Sequence, residues 1–316
     1  MTSGMHELPR VMVKLLKIDF DDTKYKISKN IIPEFLARSI SAHGILQEPI
    51  LLNNEPNHTI LTGHNRLKAL IETGATETLC FMTSNPAPDI IKMSALLKMH
   101  HGTLGPIGKL KYLSIMSEIA PDEFNKPAQE AYPDFNIPAM ILRDSSLLQT
   151  ILNLPDAIKD YVDIRDIGYK TICELVALPD GFLQILSEWI NKIHMRVNVF
   201  RETIDILHDL SRRGDFTDDI MKIDFDVSED VRGNEFHLLN SIRKLRYPQY
   251  EARMEIARSL IAHLTGSGVR VEFPPFFEGD SIGLTFTANK KEGADSLAVK
   301  TKGCDLTAVQ KLLDLL

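Results

Sequence analysis

The hydrophobic pattern of the chain changes near Ile90, and this change limits the folds that the chain can adopt. Before Ile90, short apolar runs alternate with turn residues and with stretches in which apolar residues have helical spacing. The apolar runs are 12–29 (ending in the turn Asp21-Asp22-Thr23), 49–52, 59–62 and 79–82. The stretches with helical spacing are 31–43 and 66–73. After it, apolar residues recur every three to four positions in the segments 110–119, 139–152, 155–162, 170–177, 182–192 and 199–211. The pattern predicts a small mixed α/β domain followed by an all-α domain.

A second boundary is expected near the acidic, polar stretch 215–235. Beyond it, the sequence predicts one or two helices around Pro248, two strands and an apolar terminal helix, at 236–264, 269–273, 282–287 and 306–316. The predicted fold class is therefore α+β and multidomain. The predicted parts are an N-terminal domain at 1–95, a helical domain at 96–214, a linker at 215–235 and a small α/β domain at 236–316.

Composition excludes several classes of protein. With 44% hydrophobic and 25% charged residues, the chain is typical of a globular protein. It has no apolar run of about 20 residues and no secretory leader at 1–7, so we expect neither a membrane span nor export. Three cysteines far apart in sequence argue against a disulfide scaffold and a thiolate zinc site. The expected compartment is the cytoplasm.

The charge distribution limits how the chain could bind nucleic acid. The net charge is −7, and residues 100–215 carry 12 Lys and Arg against 17 Asp and Glu. No predicted domain has the basic excess of a strong non-specific nucleic-acid binder. Any DNA contact must therefore come from a local patch.

The segment Thr62–Lys68 has the composition of a phosphate-binding turn. Gly63 allows a tight turn between a strand and a helix, and the first N–H groups of a helix attract anions. Arg66 and Lys68 add charge there, and His64 and Asn65 add donors. The alternative is an ordinary helix start in which Arg66 pairs with a surface carboxylate.

The order of motifs resembles the ParB/RepB-type partition proteins. The runs G-I-L-Q-x-P-I-x-L at 44–52 and T-G-x-x-R-x-K-A at 62–69 are similar to their N-terminal domain, whose superfamily also contains sulfiredoxin and a free-serine kinase. The segments similar to the family's helical domain follow in order, as Leu104-Gly105-Pro106-Ile107, Leu154–Ile158, Ile164–Gly168, Leu178–Asp180 and Val197–Thr203. The resemblance covers about residues 12–211, two thirds of the chain.

This resemblance implies a function. Members of the family are DNA-binding dimers with a helix-turn-helix, and they bind CTP with magnesium as a switch that closes a clamp on DNA. It implies a nucleoid-associated protein of chromosome or plasmid partition in the cytoplasm, with a partition ATPase as a partner. The triphosphate would contact Thr62, Gly63, His64, Asn65 and Arg66, and Gln47 and Glu48 would lie beside it.

Two departures from the family pattern affect the chemistry. The run G-E-R-R-x-R is here Gly63-His64-Asn65-Arg66-Leu67-Lys68. The run E-N-x-x-R, which in the family helps to hold phosphate and metal, is here Leu97-Lys98-Met99-His100-His101. We therefore expect at most a weak CTPase, and assign no catalytic residue. His100 and His101 are adjacent and point apart, so we expect no metal site built on them.

The DNA-binding candidate is the helix that follows Arg143. Arg143, Ser145, Ser146 and Gln149 are residue types that contact phosphates or base edges. The alternative is a solvated polar face. The preceding region is rich in proline, which disfavours long helices, at Pro121, Pro127, Pro133 and Pro138.

Two other functions stay open. A nucleotide-dependent small-molecule kinase would need a base near the phosphates, for which Glu48 is the obvious candidate. An adaptor that kept the fold and lost both ligands would agree with the missing family residues. Sulfiredoxin chemistry is excluded, because His64 stands where that enzyme has its cysteine.

Overall fold

A computed structural model describes residues 8–124, 135–214, 217–225, 231–266, 268–274, 277–288, 293 and 295–316. The chain forms two compact units; the first ends at Glu235, and the second runs from Phe236 to Leu316. Each unit is described by itself.

The first unit begins with a five-stranded sheet. Its strands are β1 Arg10–Lys14, β2 Ile18–Asp19, β3 Ile50–Leu52, β4 His58–Thr62 and β5 Glu77–Thr83. Their order is β1-β5-β3-β4-β2, with β1/β5 and β3/β4 antiparallel and β3/β5 and β2/β4 parallel. The segment predicted as one strand over 12–29 instead contains two short strands separated by a 3-10 turn at Leu15–Lys17, and Asp19 and Asp22 accept the backbone N–H groups of the turn that follows.

Helices α1 Glu34–His43 and α2 His64–Glu72 pack beside each other and share a core with the sheet. Leu51 and Ile60 of the central strands and Leu67 of α2 are fully buried in it. This burial explains why the apolar runs at 49–52 and 59–62 are continuous rather than alternating, since residues on both faces of these strands are buried. Gly44 ends α1 at positive φ, as its position in sequence predicts.

The rest of the first unit is helical. Its helices are α3 Pro88–His100, α4 Pro106–Ile119, α5 Pro121–Phe124, α6 Ala139–Arg143, α7 Ser145–Leu152, α8 Asp156–Arg165, α9 Tyr169–Val176, α10 Asp180–Lys192, α11 Val197–Arg213 and α12 Thr217–Met221. Helix α13 Val231–Arg246 begins in the first unit and continues into the second. Of the segment predicted as a linker, the described residues include α12 and the first turn of α13. Pro127 and Pro133 lie outside the described residues.

Helix α4 packs against two elements that bear on the site. Asp163 of α8 accepts the Ile107 N–H at 2.7 Å and so caps α4, and burial raises the pKa of this carboxyl to about 6. On its other side, a Cβ at Gly108 would lie 2.2 Å from the backbone oxygen of Ile27. Glycine therefore allows α4 to approach the segment that carries Lys26.

The second unit is small and mixed. It contains α14 Pro248–Gly266, the antiparallel strands β6 Val269–Glu272 and β7 Gly283–Phe286, α15 Asp295–Lys302 and α16 Leu306–Leu313. Its core gathers around Leu264, Val269 and Leu312. A new helix begins at Pro248, as predicted.

The predicted fold class is confirmed: strands and helices come first, helices follow, and a small α/β unit ends the chain. Within the described residues, no helix is both long and apolar enough to cross a membrane.

Candidate functional site

The strand-to-helix turn at Gly63 is the centre of the site. Gly63 has φ 103°, a left-handed conformation that favours glycine, and a Cβ there would lie 2.9 Å from Pro49 Cβ. Within the described residues, no side chain forms a capping hydrogen bond at the start of α2, and the first turn of this helix carries no acidic residue. The N-terminal N–H groups of α2 and the positive end of its dipole are therefore not neutralised by a side chain.

Arg66 ties this turn to the segment between α1 and β3. Its guanidinium donates to the backbone oxygen of Gln47, and it is partly buried, which lowers its pKa. Glu48 forms an ion pair with Arg10. The structure thus brings Gln47, Glu48, Gly63 and Arg66 together, with Gln47 contributing its backbone.

Asn65 has a different neighbourhood. Its side-chain amide donates to the backbone oxygens of Lys29 (3.2 Å) and Ile31 (3.0 Å). These bonds fix the segment that leads into α1 against the start of α2. The observed contacts of the Asn65 N–H groups are therefore with backbone.

Lys98 approaches the turn from α3. Its ammonium donates to Ser94 Oγ at 2.8 Å, and Ser94 Oγ lies 3.4 Å from Oγ1 of Thr62, the residue directly before Gly63. Burial, together with the nearby charge of Arg66, lowers the pKa of Lys98 to about 8. No described carboxylate raises it, so this charge is not balanced by an acid.

Two further lysines approach the same place. Lys26 is 9% exposed and donates to the Asn30 side chain, and Lys111 of α4 is partly buried and donates to the Thr23 backbone oxygen at 2.6 Å. Burial lowers the pKa of both. Asp160 offsets part of this effect at Lys26, and Asp156 and Asp22 do so at Lys111.

His64 lies among these lysines. It is 4% exposed, and its pKa falls to about 3 because the ring is buried and because Lys26 and Lys98 are close. The ring is therefore neutral at neutral pH, and its buried Nε2 has no hydrogen-bond partner. A bound anion would raise this pKa, and the protonated ring would donate from Nε2.

The DNA-binding candidates lie at the end of α6 and in α7. Arg143, Ser145, Ser146 and Gln149 are all exposed. Asp144 alone separates α6 from α7, and its carboxylate accepts the N–H groups of Ser146 (2.9 Å) and of the next residue. The first N–H groups of α7 are thus already bonded, and the Gln149 amide lies 3.4 Å from the hydroxyl of a serine on α4.

His100 and His101 lie at the end of α3, with ring centroids 5.6 Å apart. Among the described residues, no group of three or more His, Cys, Asp or Glu side chains could hold a metal ion.

The chain was compared with family models, curated proteins and solved structures, and only solved structures are similar to it. No family model matches the sequence, and neither does any curated protein. The chain is similar to solved structures of the C-terminally truncated chromosome-partitioning protein ParB from Caulobacter crescentus. In the complex with CTP-γ-S, the identity is 13%, the TM-score is 0.25, and 58% of this chain and 98% of that chain are covered. In the complex with the centromeric parS site, the identity is 13%, the TM-score is 0.26, and 63% of this chain and 97% of that chain are covered. Similarity at this level does not establish membership of a family.

The lysine cluster of Lys26, Lys98 and Lys111 was not predicted from the sequence. A signal for Lys98 is nevertheless there, because Ile91, Ala95 and Lys98 are spaced four and three residues apart on α3, and the first two are buried. A lysine on the buried face of a helix indicates a special environment.

Proposed function

We propose that this chain is a ParB-like DNA-binding protein of chromosome or plasmid partition, whose N-terminal region binds the phosphates of CTP around Gly63. In this proposal the nucleotide is a switch that changes which faces of the protein pair. A homodimer and a partition ATPase partner belong to the same proposal. The observation that carries it is the Lys98 ammonium beside the start of α2, on which no described carboxylate acts.

A phosphate group suits this arrangement chemically. The uncapped N–H groups of α2 and the Arg66 guanidinium can donate to phosphate oxygens, and Lys98 brings a further charge. Burying a cation without a partner costs free energy, so such a cluster is expected where an anion binds. Thr62, His64 and Asn65 complete the proposed turn, and Gln47 and Glu48 flank it.

The kinase alternative has less support. Glu48 is paired with Arg10, and its own backbone N–H and that ion pair hold its pKa below the ordinary value. A general base works best with a pKa near the working pH.

The adaptor alternative is favoured by one observation: the Asp144 carboxylate already accepts two N–H groups at the start of α7.

Calorimetric titration with CTP, ATP, GTP and UTP, with and without magnesium and mixed DNA, tests the nucleotide proposal. Wild-type protein should bind CTP selectively. Arg66→Ala should weaken binding about tenfold or more, because it removes a charge-assisted donor. The control is Arg38→Ala, an exposed arginine on α1 whose ion pair with Glu34 is also exposed. Unchanged affinity in Arg66→Ala would overturn the phosphate assignment.

The DNA proposal needs a separate test. Arg143→Ala combined with Gln149→Ala should reduce retention on DNA fragments, whereas Lys170→Ala, at an exposed lysine of α9, should not. If the double variant is retained on DNA as strongly as wild type, the DNA contact does not involve Arg143 and Gln149.

A further inference from the structure

We propose that the Lys98 ammonium takes the place of a divalent cation at the bound phosphates, so that nucleotide binding by this chain does not require magnesium. This inference rests on the proposed nucleotide site and specifies its chemistry. It differs from the expectation of CTP with magnesium that the family resemblance implies.

The residues present do not fit a magnesium ion. Mg²⁺ takes oxygen ligands, most often carboxylates together with substrate phosphates. The nearest carboxylates are already engaged: Glu48 pairs with Arg10, and Asp22 accepts the Thr59 hydroxyl at 2.8 Å and a backbone N–H at 2.9 Å. The described part of the chain also contains no cluster of acids or histidines that could hold a metal.

Lys98 is positioned to act instead of the ion. Its bond to Ser94, and the contact of Ser94 with Thr62, hold the ammonium next to the residue that precedes the Gly63 turn. An ammonium carries three N–H donors. Ser94 accepts one in the described structure, and a phosphate oxygen can accept another.

The surrounding charges favour an anion over a metal cation. Arg66 acts on Lys98, and Lys26, Lys98 and Lys111 all act on His64. Carboxylates offset part of the charge of Arg66, Lys26 and Lys111 but not that of Lys98. A divalent cation placed beside Lys98 would therefore be repelled, whereas a triphosphate would be attracted. Metal ions at transferring phosphates serve to neutralise their charge, and fixed ammonium groups can supply the same neutralisation.

The test is calorimetric titration of the full chain with CTP, once in magnesium and once in EDTA. We expect dissociation constants that agree within about threefold. Binding only in magnesium would overturn this inference and leave the proposed function intact. Absence of binding in both buffers would overturn the proposed function itself.

Variants of α3 make the test specific. Lys98→Met should weaken binding about tenfold or more in EDTA, and Lys98→Arg should retain binding because it keeps the charge. Lys92→Met is the matched control, since Lys92 is an exposed residue of the same helix. Lys98→Met that folds and binds CTP like wild type would overturn the role of Lys98.

Discussion

Two charged side chains of the first unit, the buried Glu235 and the half-buried Lys98, differ in how their charge is balanced. Glu235 of α13 is 1% exposed, and Arg196, directly before α11, donates to its two oxygens through backbone and guanidinium N–H groups at 2.6 Å. Lys98, beside the Gly63 turn, has a serine hydroxyl as its partner, and no described carboxylate acts on its pKa.

The difference separates a structural site from a ligand site. A buried carboxylate with several good donors stabilises one arrangement of the fold, and removing its partner is costly. A buried ammonium without an acid lowers stability until a ligand of opposite charge binds. Substitutions at the two places should therefore have opposite effects on the ligand-free protein. Trp189, the single tryptophan, is buried in the first unit and reports on its unfolding by fluorescence.

Gly108→Ala should have the largest effect, because it disturbs the packing that brings α4 to Lys26. The new Cβ would meet the Ile27 backbone oxygen at 2.2 Å, and backbone cannot move away as a side chain can. We expect a loss of about 3 kcal/mol in the free energy of unfolding, measured by Trp189 fluorescence in urea.

The control for this change is Gly168→Ala, which adds a Cβ into open space at the start of α9. It should cost about 1 kcal/mol or less, through the helix cap alone. Equal losses in the two variants would show that close approach at Gly108 does not hold α4.

Arg196→Met should come next in size. It leaves the Glu235 carboxylate buried with only the backbone N–H of residue 196, so the first unit should unfold at a clearly lower urea concentration. CTP affinity should stay at the wild-type level. Arg201→Met, at an exposed arginine one turn into α11, controls for loss of charge. If Arg196→Met lowered CTP affinity as well as stability, the Glu235 site would not be separate from the nucleotide site.

The centre of the candidate site could be predicted because it is local in sequence. A strand, a glycine and a helix follow one another at 58–72, and their spacing alone indicates the turn at Gly63 and the position of Arg66. The same holds for the helical region, where apolar residues recur with the helix period. The pattern predicted the type of many elements, and Gly and Pro predicted several of their ends. The helices α3, α12 and α15 were not predicted.

The rest depends on tertiary structure. Lys26, Lys98 and Lys111 come from a loop and two helices, and only packing of α3 and α4 places them around His64. His64 was predicted as a donor at a helix start, and its burial was not part of that prediction. Local pattern contains neither the burial that lowers these pKa values nor the absence of an acid beside Lys98.

Lys98→Met should raise the stability of the ligand-free protein at pH 7. Methionine has a similar length, and it removes a buried charge whose pKa is lowered from 10.5 to about 8. The gain in the free energy of unfolding should be at most about 3 kcal/mol. Lys92→Met, at an exposed position of the same helix, should change stability little. Destabilisation by Lys98→Met in urea unfolding would indicate that Lys98 has a structural partner rather than a ligand.

The same pKa difference should appear in the pH dependence of stability. Below about pH 8, Lys98 is protonated in both the folded and the unfolded chain, so its contribution is constant. Between pH 8 and 10.5 the unfolded chain binds more protons at this residue, and stability should therefore rise with pH. Burial lowers the pKa of Lys26 and Lys111 as well, so Lys98→Met should reduce this rise without abolishing it. Saturating CTP should also reduce it, because a bound anion favours the charged ammonium. A rise of equal size in wild type and Lys98→Met, followed by Trp189 fluorescence, would mean that the buried charge of Lys98 is balanced after all, and the contrast with Glu235 would no longer hold.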